Sequence, residues 1–120
     1  MDTKTIAATY FELWSTTDDA RRHELATQLF ADDAVHHAAP ADVHFEGVDA
    51  IEANITQVNT ENIQKAGLSF QEGDIRTNHD SLQVEWSVST PAGQTVATGR
   101  DFLLLNEDGK VAKLYMYNGI

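Results

Sequence analysis

A single carboxylate, Asp101, lies in the middle of an apolar segment near the end of the chain. Residues 96–105 alternate with the two-residue period of a β-strand, which puts Asp101 on the same face as Gly99 and Leu103. Burial among apolar side chains raises the pKa of a carboxyl group, so Asp101 can stay protonated and donate a hydrogen bond. Because a buried unpaired carboxyl is costly, our hypothesis is a functional role in a pocket.

Two further side chains, His36 and Tyr10, are candidates for proton transfer or hydrogen bonding. A histidine titrates near neutrality, so His36 is a candidate general base, and the alternative is a hydrogen-bonded histidine without chemistry. His37 follows it directly and must point to the opposite side of a strand. Tyr10 lies on the apolar face of the first predicted helix, where its hydroxyl can donate into a pocket. Either side chain can instead pair with Asp101 for structural reasons alone.

The first part of the chain has the periodicity of amphipathic helices. Apolar residues at three- and four-residue spacing predict a helix over residues 5–15. Asp18 or Asp19 is expected to cap a second helix, which buries side chains as far as Phe30 and ends at residues 31–33. These two helices provide the apolar cover that the following sheet needs.

A short strand and a loop are expected to join the second helix to a third. The strand is predicted at residues 34–37 and the loop at residues 38–46, which include Pro40. Gly47 then leads into a helix whose inward face follows Ile51, Ile55 and Val58 and can continue to Asn62, and Gly67 ends it.

From residue 68 onward the period changes to two, which predicts a four-stranded antiparallel meander. Gly73 is expected to form a bulge in the first of these strands. The predicted strands are residues 68–77, 82–89, 94–105 and 111–117. Both faces of the last hairpin are largely apolar, so one must cover a core or pocket and the other a second layer or subunit. The fold class is therefore α+β, with three N-terminal helices over the concave side of a curved sheet.

Composition excludes several classes of function. The chain has 120 residues, which is enough for one domain with a single core, and we predict one domain over residues 1–120. It has no cysteine, which excludes thiol catalysis and fits a reducing compartment, so we expect a cytoplasmic protein without a signal peptide. A net charge of -11 opposes nucleic acids and anionic membranes as partners.

No metal or cofactor is expected. His36, His37, His44 and Asp42 cluster in sequence, but adjacent strand residues point oppositely and no spaced ligand motif is present.

Four sequence strings, in this order and spacing, resemble one known family over essentially the whole chain. They are YFELW, LFADDAV, FEGVDAI and the terminal GRDFLLLNEDGKVAKLYMYNG. The sequence resembles the nuclear transport factor 2-like superfamily, and within it the SnoaL-like proteins, which include polyketide cyclases and ketosteroid isomerases. The resemblance implies a cone-shaped α+β barrel around a pocket, usually in a homodimer packed through the outer face of the sheet.

The resemblance also implies roles for individual residues. The phenol donor of the isomerase corresponds to Tyr10, and its protonated carboxylic acid corresponds to Asp101. Its general-base carboxylate corresponds to Ala38, which has no proton-accepting group. His36 is the only evident substitute for that base, unless a one-residue shift brings His37 to the position.

Strand parity and the predicted helices suggest which side chains surround the pocket and which face a partner. The candidate pocket residues are Trp14, Phe30, Trp86, Leu103, Leu114, Met116 and Asn118. The candidate homodimer contacts on the outer face are Arg100, Phe102, Leu104, Tyr115 and Tyr117.

Two functions follow as hypotheses. The first is a mainly apolar pocket for a hydrophobic small molecule, in which His36 takes a proton next to a carbonyl while Tyr10 and Asp101 stabilise the enolate. The reaction would be an isomerisation or a cyclisation. The alternative, favoured by Ala38, is a non-catalytic ligand-binding or dimerisation module of the same fold.

Overall fold

The computed structural model describes residues 1–38 and 42–119, in which helices precede and flank one curved sheet. The helices are α1 (Thr3–Ser15), α2 (Asp19–Leu29), α3 (Val48–Val58) and a π-helix (Asn59–Lys65). The strands are β1 (Phe30–His37), β2 (His44–Glu46), β3 (Ser69–Asn78), β4 (Ser81–Ser89), β5 (Thr95–Leu105) and β6 (Val111–Asn118).

The sheet follows the order β2-β1-β6-β5-β4-β3 and does not close into a barrel. The predicted meander corresponds to β3 to β6, whose neighbours pair antiparallel. β1 pairs in parallel with β6, so the sheet is mixed. After β2, α3 and the meander carry the chain round to the other side of β1, where β6 lies. The predicted α+β fold class is confirmed, with the concave face of the sheet covered by the helices.

The prediction for residues 30–46 was partly wrong. The sequence pattern places Phe30 in the second helix and residues 31–33 at its end, but the backbone is already extended at Phe30, where β1 begins. An irregularity in the β1–β6 register between Phe30 and Val35 accommodates this early start. The predicted loop at residues 38–46 contains Pro40, which is outside the described residues, and its last part forms β2.

The third helix changes its geometry halfway. Gly47 precedes α3 with a positive φ of 87°, and its N–H donates to the Ala34 carbonyl 2.7 Å away. After Val58 the helix continues as a π-helix with wider turns, and Gly67, at φ 71°, follows its end as predicted. Along the meander, the register of β3 and β4 shifts between Glu72 and Ile75, which confirms the bulge predicted at Gly73.

The concave side of the sheet divides into a packed core and a hollow end. Tightly packed side chains from α1, α2, α3 and the sheet fill the core; they include Leu25, Leu29, Ile51, Ile55, Leu103 and Leu114. Among the described residues, no helix is long and apolar enough to cross a membrane.

Candidate functional site

A cavity of about 390 Å³ occupies the hollow end, between the concave sheet face and the helices. This volume is in the range of small-molecule sites, which lies at about 300–1,000 Å³. Its walls are mostly apolar and aromatic, and include Phe11, Trp14, Phe45, Phe70, Trp86 and Met116. The ionisable side chains among the described lining residues are Tyr10, His36 and Asp101.

Asp101 reaches the cavity from the inner face of β5. Its side chain is buried, with the residue only 2% exposed, and both carboxylate oxygens accept hydrogen bonds. The Tyr10 hydroxyl donates to Oδ2 over 2.5 Å, and the Trp86 indole Nε1–H donates to Oδ1 over 2.9 Å. Burial raises the pKa of Asp101 to about 6, although the two donors act in the opposite direction.

Tyr10 lies on α1, the helix that covers this part of the sheet. Its side chain is fully buried, and its ring contacts Phe11 and Trp14 edge to face. Burial, and then the negative charge of Asp101, raise the pKa of Tyr10 well above its usual value. The phenol therefore remains protonated and serves as a hydrogen-bond donor.

Trp86 can reach Asp101 because the residue opposite it in the sheet is a glycine. Trp86 on β4 pairs with Gly99 on β5, two positions before Asp101. A Cβ atom at position 99 would lie 2.0 Å from Cζ2 of the Trp86 ring, a distance that real Cβ atoms do not show. The indole therefore lies directly over the Gly99 backbone.

His36 faces the same cavity from β1 but makes no hydrogen bond to the described residues. It is fully buried, and neither Nδ1 nor Nε2 has a partner among them. Its ring packs against Trp14 and Phe45, with ring centroids 6.0 and 5.9 Å apart. Burial, and then the neighbouring His37, lower the pKa of His36 to about 4, so the imidazole is neutral at pH 7.

The neighbouring residues of β1 have different surroundings. His37 lies on the outer face, where its ring stacks on Tyr115 at a centroid distance of 4.5 Å. Ala38, at the position that the resemblance gives to the general base, lines the cavity with a methyl group. His36 and His37 point to opposite faces, and among the described residues no three His, Asp or Glu side chains lie together as metal ligands would.

The predicted pocket residues fall into two groups. Trp14, Trp86, Met116 and Asn118 line the cavity. Phe30, Leu103 and Leu114 do not, because they lie deeper on the same face, where the helices pack directly on the sheet. Strand parity gives the correct face but not the depth at which the cavity ends.

Other lining residues were not predicted. Phe70 pairs with Val88 across β3 and β4, and both line the cavity. The two-residue period of β3 places Phe70 on the opposite face from the residues before and after it, and this pattern could have identified Phe70 as a lining residue. Asn54 and Val58 on α3 and Asn62 on the π-helix also line the cavity, and their spacing of four residues is a helical signal that could have been used.

The outer face of the sheet is a mixture of paired charges and partly exposed aromatic residues. Arg100 donates to Glu85 over 2.8 Å in a half-buried ion pair. Phe102 and Tyr117 pack edge to face with ring centroids 5.7 Å apart, and Tyr117 remains 53% exposed.

This fold and cavity define a cone-shaped α+β protein of the nuclear transport factor 2-like class. The model for the SnoaL-like domain matches residues 7–114, and the chain belongs to the SnoaL-like family. No curated protein sequence matches this chain significantly.

Solved structures agree with this classification. One similar structure is that of a candidate isomerase of the SnoaL-like family from Agrobacterium tumefaciens str. C58. It is 25% identical, with coverage of 98% of this chain and 97% of that chain and a TM-score of 0.83. A candidate polyketide cyclase from Sinorhizobium meliloti is 22% identical over 93% of each chain, with a TM-score of 0.69. A protein with a cystatin-like fold from Methylobium petroleophilum PM1 is 14% identical over 98% of this chain and 75% of that chain, with a TM-score of 0.74. The last two show the fold alone.

Proposed function

We propose that this protein binds a hydrophobic ketone in the cavity and transfers a proton next to its carbonyl group, in an isomerisation or a cyclisation. The observation that carries the proposal is the state of Asp101. It is a carboxyl group in an apolar cavity, hydrogen-bonded by neutral donors, with a pKa of about 6. A general acid–base group is most effective when its pKa lies near the working pH.

In this mechanism Asp101 is the proton acceptor. With a pKa of about 6 it is mainly ionised at pH 7, and both of its oxygens accept hydrogen bonds, as a carboxylate does. The carboxylate takes a proton from the carbon next to the carbonyl, and the electron pair of the C–H bond moves into an enolate. The protonated Asp101 then returns the proton to another carbon, which completes an isomerisation without any other reactant.

His36 is suited to stabilise the enolate oxygen. A neutral imidazole carries one N–H, and at His36 neither ring nitrogen is engaged by the described residues. With a pKa of about 4 it is a weak base at pH 7, but it can donate a hydrogen bond to developing negative charge. This assignment exchanges the roles that the sequence suggested for His36 and Asp101, because burial shifts the two pKa values in opposite directions.

Tyr10 links the two states of Asp101. Its hydroxyl donates to the carboxylate before the reaction, and it becomes available to the enolate when Asp101 is protonated. Oxyanion donors of this kind contribute a factor of about 10² to 10³ to the rate.

Hydrogen–deuterium exchange tests the proposal without knowledge of the natural product. A panel of bicyclic and tricyclic ketones is incubated with the protein in D₂O, and exchange next to the carbonyl is followed by proton NMR. We expect accelerated exchange with the wild type and a loss of about 10²- to 10⁴-fold with Asp101→Asn. Asp33→Asn, an exposed Asp on β1, is the matched control and should exchange like the wild type. Full exchange by Asp101→Asn would reject the mechanism.

Ligand binding without chemistry is the second candidate function. The observation that favours it is Ala38, which leaves the cavity without a carboxylate at the position of the family's base. Quenching of Trp14 and Trp86 fluorescence reports binding independently of turnover. A ketone that quenches this fluorescence but shows no accelerated exchange would favour the binding function.

We also propose that two copies associate through the outer sheet face, formed by Arg100, Phe102, Leu104, Tyr115 and Tyr117. The support is that all five residues are at least partly exposed, and that four of them are aromatic or aliphatic, on a chain that is otherwise strongly acidic. Sedimentation should give a dimer for the wild type and a monomer for Tyr117→Glu. A monomeric wild type would reject the dimer. The cytoplasmic location stays a prediction.

A further inference from the structure

The helical wall of the cavity carries two asparagine side chains at its otherwise apolar surface. Asn54 on α3 and Asn62 on the π-helix both line the cavity, with Val58 between them. A step of four residues overshoots an α-helical turn of 3.6 residues, whereas the wider π-helical turn compensates for this drift. The change in helix type therefore keeps the three residues on one face.

Asn54 and Asn62 differ from the nearby Asn59 in the hydrogen bonds of their side chains. The Asn59 side chain is buried and satisfied, since its Nδ2 donates to the Trp14 carbonyl over 2.8 Å and its Oδ1 accepts from Gln64 over 3.0 Å. Within the described residues, the side-chain amides of Asn54 and Asn62 have no such partner. Asn59 holds the helix against α1, and the other two amides remain available to a ligand.

We propose that Asn54 and Asn62 form a polar subsite for a second hydrogen-bonding group of the ligand, a hydroxyl or a carbonyl. An amide both donates and accepts, so it can bind either group. The subsite belongs to a different wall from Tyr10, Trp86 and Asp101, which come from α1 and the sheet. The ligand class is thus a ketone that carries a second oxygen, rather than a ketone without a further polar group. This inference rests on the proposed function.

Two probes that differ by one hydroxyl test the subsite. Binding of 2-decalone and 6-hydroxy-2-decalone is measured by quenching of tryptophan fluorescence. We expect the wild type to bind the hydroxyketone about three- to tenfold more tightly, as one additional neutral hydrogen bond allows. Asn54→Leu or Asn62→Leu should remove this preference, so that the variant binds the two probes with similar affinity. Gln57→Leu, an exposed position on the same helix outside the cavity, is the control and should keep the preference.

The outcomes separate the subsite from the proposed function. Equal binding of the two probes by the wild type, or a preference that survives both Leu variants, overturns the subsite and leaves the proposed function standing. If neither probe binds, the subsite is overturned, whereas the proposed function is overturned only if no ketone of the exchange panel shows accelerated exchange.

A different observation, the contact between Trp86 and Gly99, carries a second inference. We infer that Gly99 is a positioning residue for Asp101 and that Gly99 acts through the Trp86 indole. The indole occupies the volume in which any side chain at position 99 would begin, and from there its Nε1–H reaches Oδ1 of Asp101. This hydrogen bond lowers the pKa of Asp101 and so partly offsets the effect of burial. A Cβ atom at position 99 must displace the ring, and the hydrogen bond is lost with it.

A double-mutant cycle tests this coupling through the pKa of Asp101, which carbonyl-carbon NMR measures without any ligand. Gly99→Ala and Trp86→Phe should each raise this pKa by about one unit or more, since a hydrogen bond to a charged group is removed. The double variant should show no further rise. Gly73→Ala, in β3 and separated from β5 by β4, is the glycine control and should leave the pKa of Asp101 unchanged.

Stability provides a second measurement if Gly99→Ala folds poorly. The alanine should cost much less stability in the Trp86→Phe background, where a smaller ring faces it. An unchanged pKa in Gly99→Ala, full additivity of the two shifts, or equal cost in both backgrounds would overturn the positioning role.

Discussion

Arg100 and Asp101 are neighbours on β5, but the two faces of the sheet treat their charges differently. Arg100 on the outer face is half-buried and pairs with the opposite charge of Glu85. Asp101 on the inner face is buried and hydrogen-bonded by the neutral side chains of Tyr10 and Trp86. Within the described residues, no Lys or Arg forms an ion pair with Asp101.

The absence of a cation among the described neighbours of Asp101 keeps its carboxyl group reactive. A cation beside Asp101 would favour the ionised form and lower its pKa, whereas neutral donors orient the carboxylate and only partly offset the effect of burial. The result is a pKa of about 6, at which the group can both take and return a proton near neutral pH.

The largest effect is expected from truncation of adjacent leucines on the two faces. Leu103 is fully buried in the core, so Leu103→Ala should lower the free energy of unfolding by about 2–5 kcal/mol. Leu104 is half-exposed, and Leu104→Ala should cost less than about 1 kcal/mol in the monomer. Urea denaturation measures both. A cost for Leu104→Ala that grows with protein concentration would show that a second copy buries the outer face.

The next effect is the pH dependence of stability, to which Asp101 and His36 contribute with opposite signs. The pKa of Asp101 is raised from 3.8 to about 6, so folding favours its protonated form and its contribution falls as the pH rises through this interval. The pKa of His36 is lowered from 6.5 to about 4, so folding favours its neutral form and its contribution falls as the pH decreases. Each shift corresponds to about 3 kcal/mol.

Single variants separate these two contributions. Relative to the wild type, Asp101→Asn should gain stability as the pH rises from about 4 to 6, and His36→Gln should lose stability over the same range. Urea denaturation at half-unit pH steps provides the measurement. Profiles that run parallel to the wild type would mean that neither group titrates abnormally.

A cation placed beside Asp101 should remove the difference between the inner and outer faces of the sheet. Met116 pairs with Asp101 across β5 and β6 and lines the cavity, so an arginine there can approach the carboxylate. Met116→Arg should lower the pKa of Asp101 by about one to three units and suppress proton transfer at pH 7. Met116→Leu is the control of similar size. An unchanged pKa of Asp101 in the arginine variant would show that the side chain at position 116 does not reach the carboxylate.

The smallest effect is expected for the outer ion pair. Arg100→Ala and Glu85→Gln should each cost about 0–1 kcal/mol, and a double-mutant cycle should give a coupling that weakens with salt. A coupling above about 2 kcal/mol that resists salt would indicate that the pair is desolvated, as it would be in a dimer interface.

The alternation along β5 and β6 was sufficient to predict the two faces, because side-chain direction in a strand depends only on local backbone geometry. It gave the inward position of Asp101 and the outward positions of Arg100 and Phe102. The helix pattern likewise gave α1 and the inward side of Tyr10. The start of β1 at Phe30 was missed, since its pairing partner Val111 lies 81 residues further along the chain.

Sequence patterns alone were therefore enough to assign the α+β class, the faces of the strands and a carboxyl group among apolar neighbours. Three features emerged only from the packed fold: Tyr10 and Trp86 both donate to Asp101, Leu103 and Leu114 lie deeper than the cavity, and His36 lacks a partner among the described residues. The two kinds of feature differ in the range of the interactions that set them. Strand parity and helix period are local, whereas burial depth, hydrogen-bond partners and the resulting pKa values depend on how distant elements pack together.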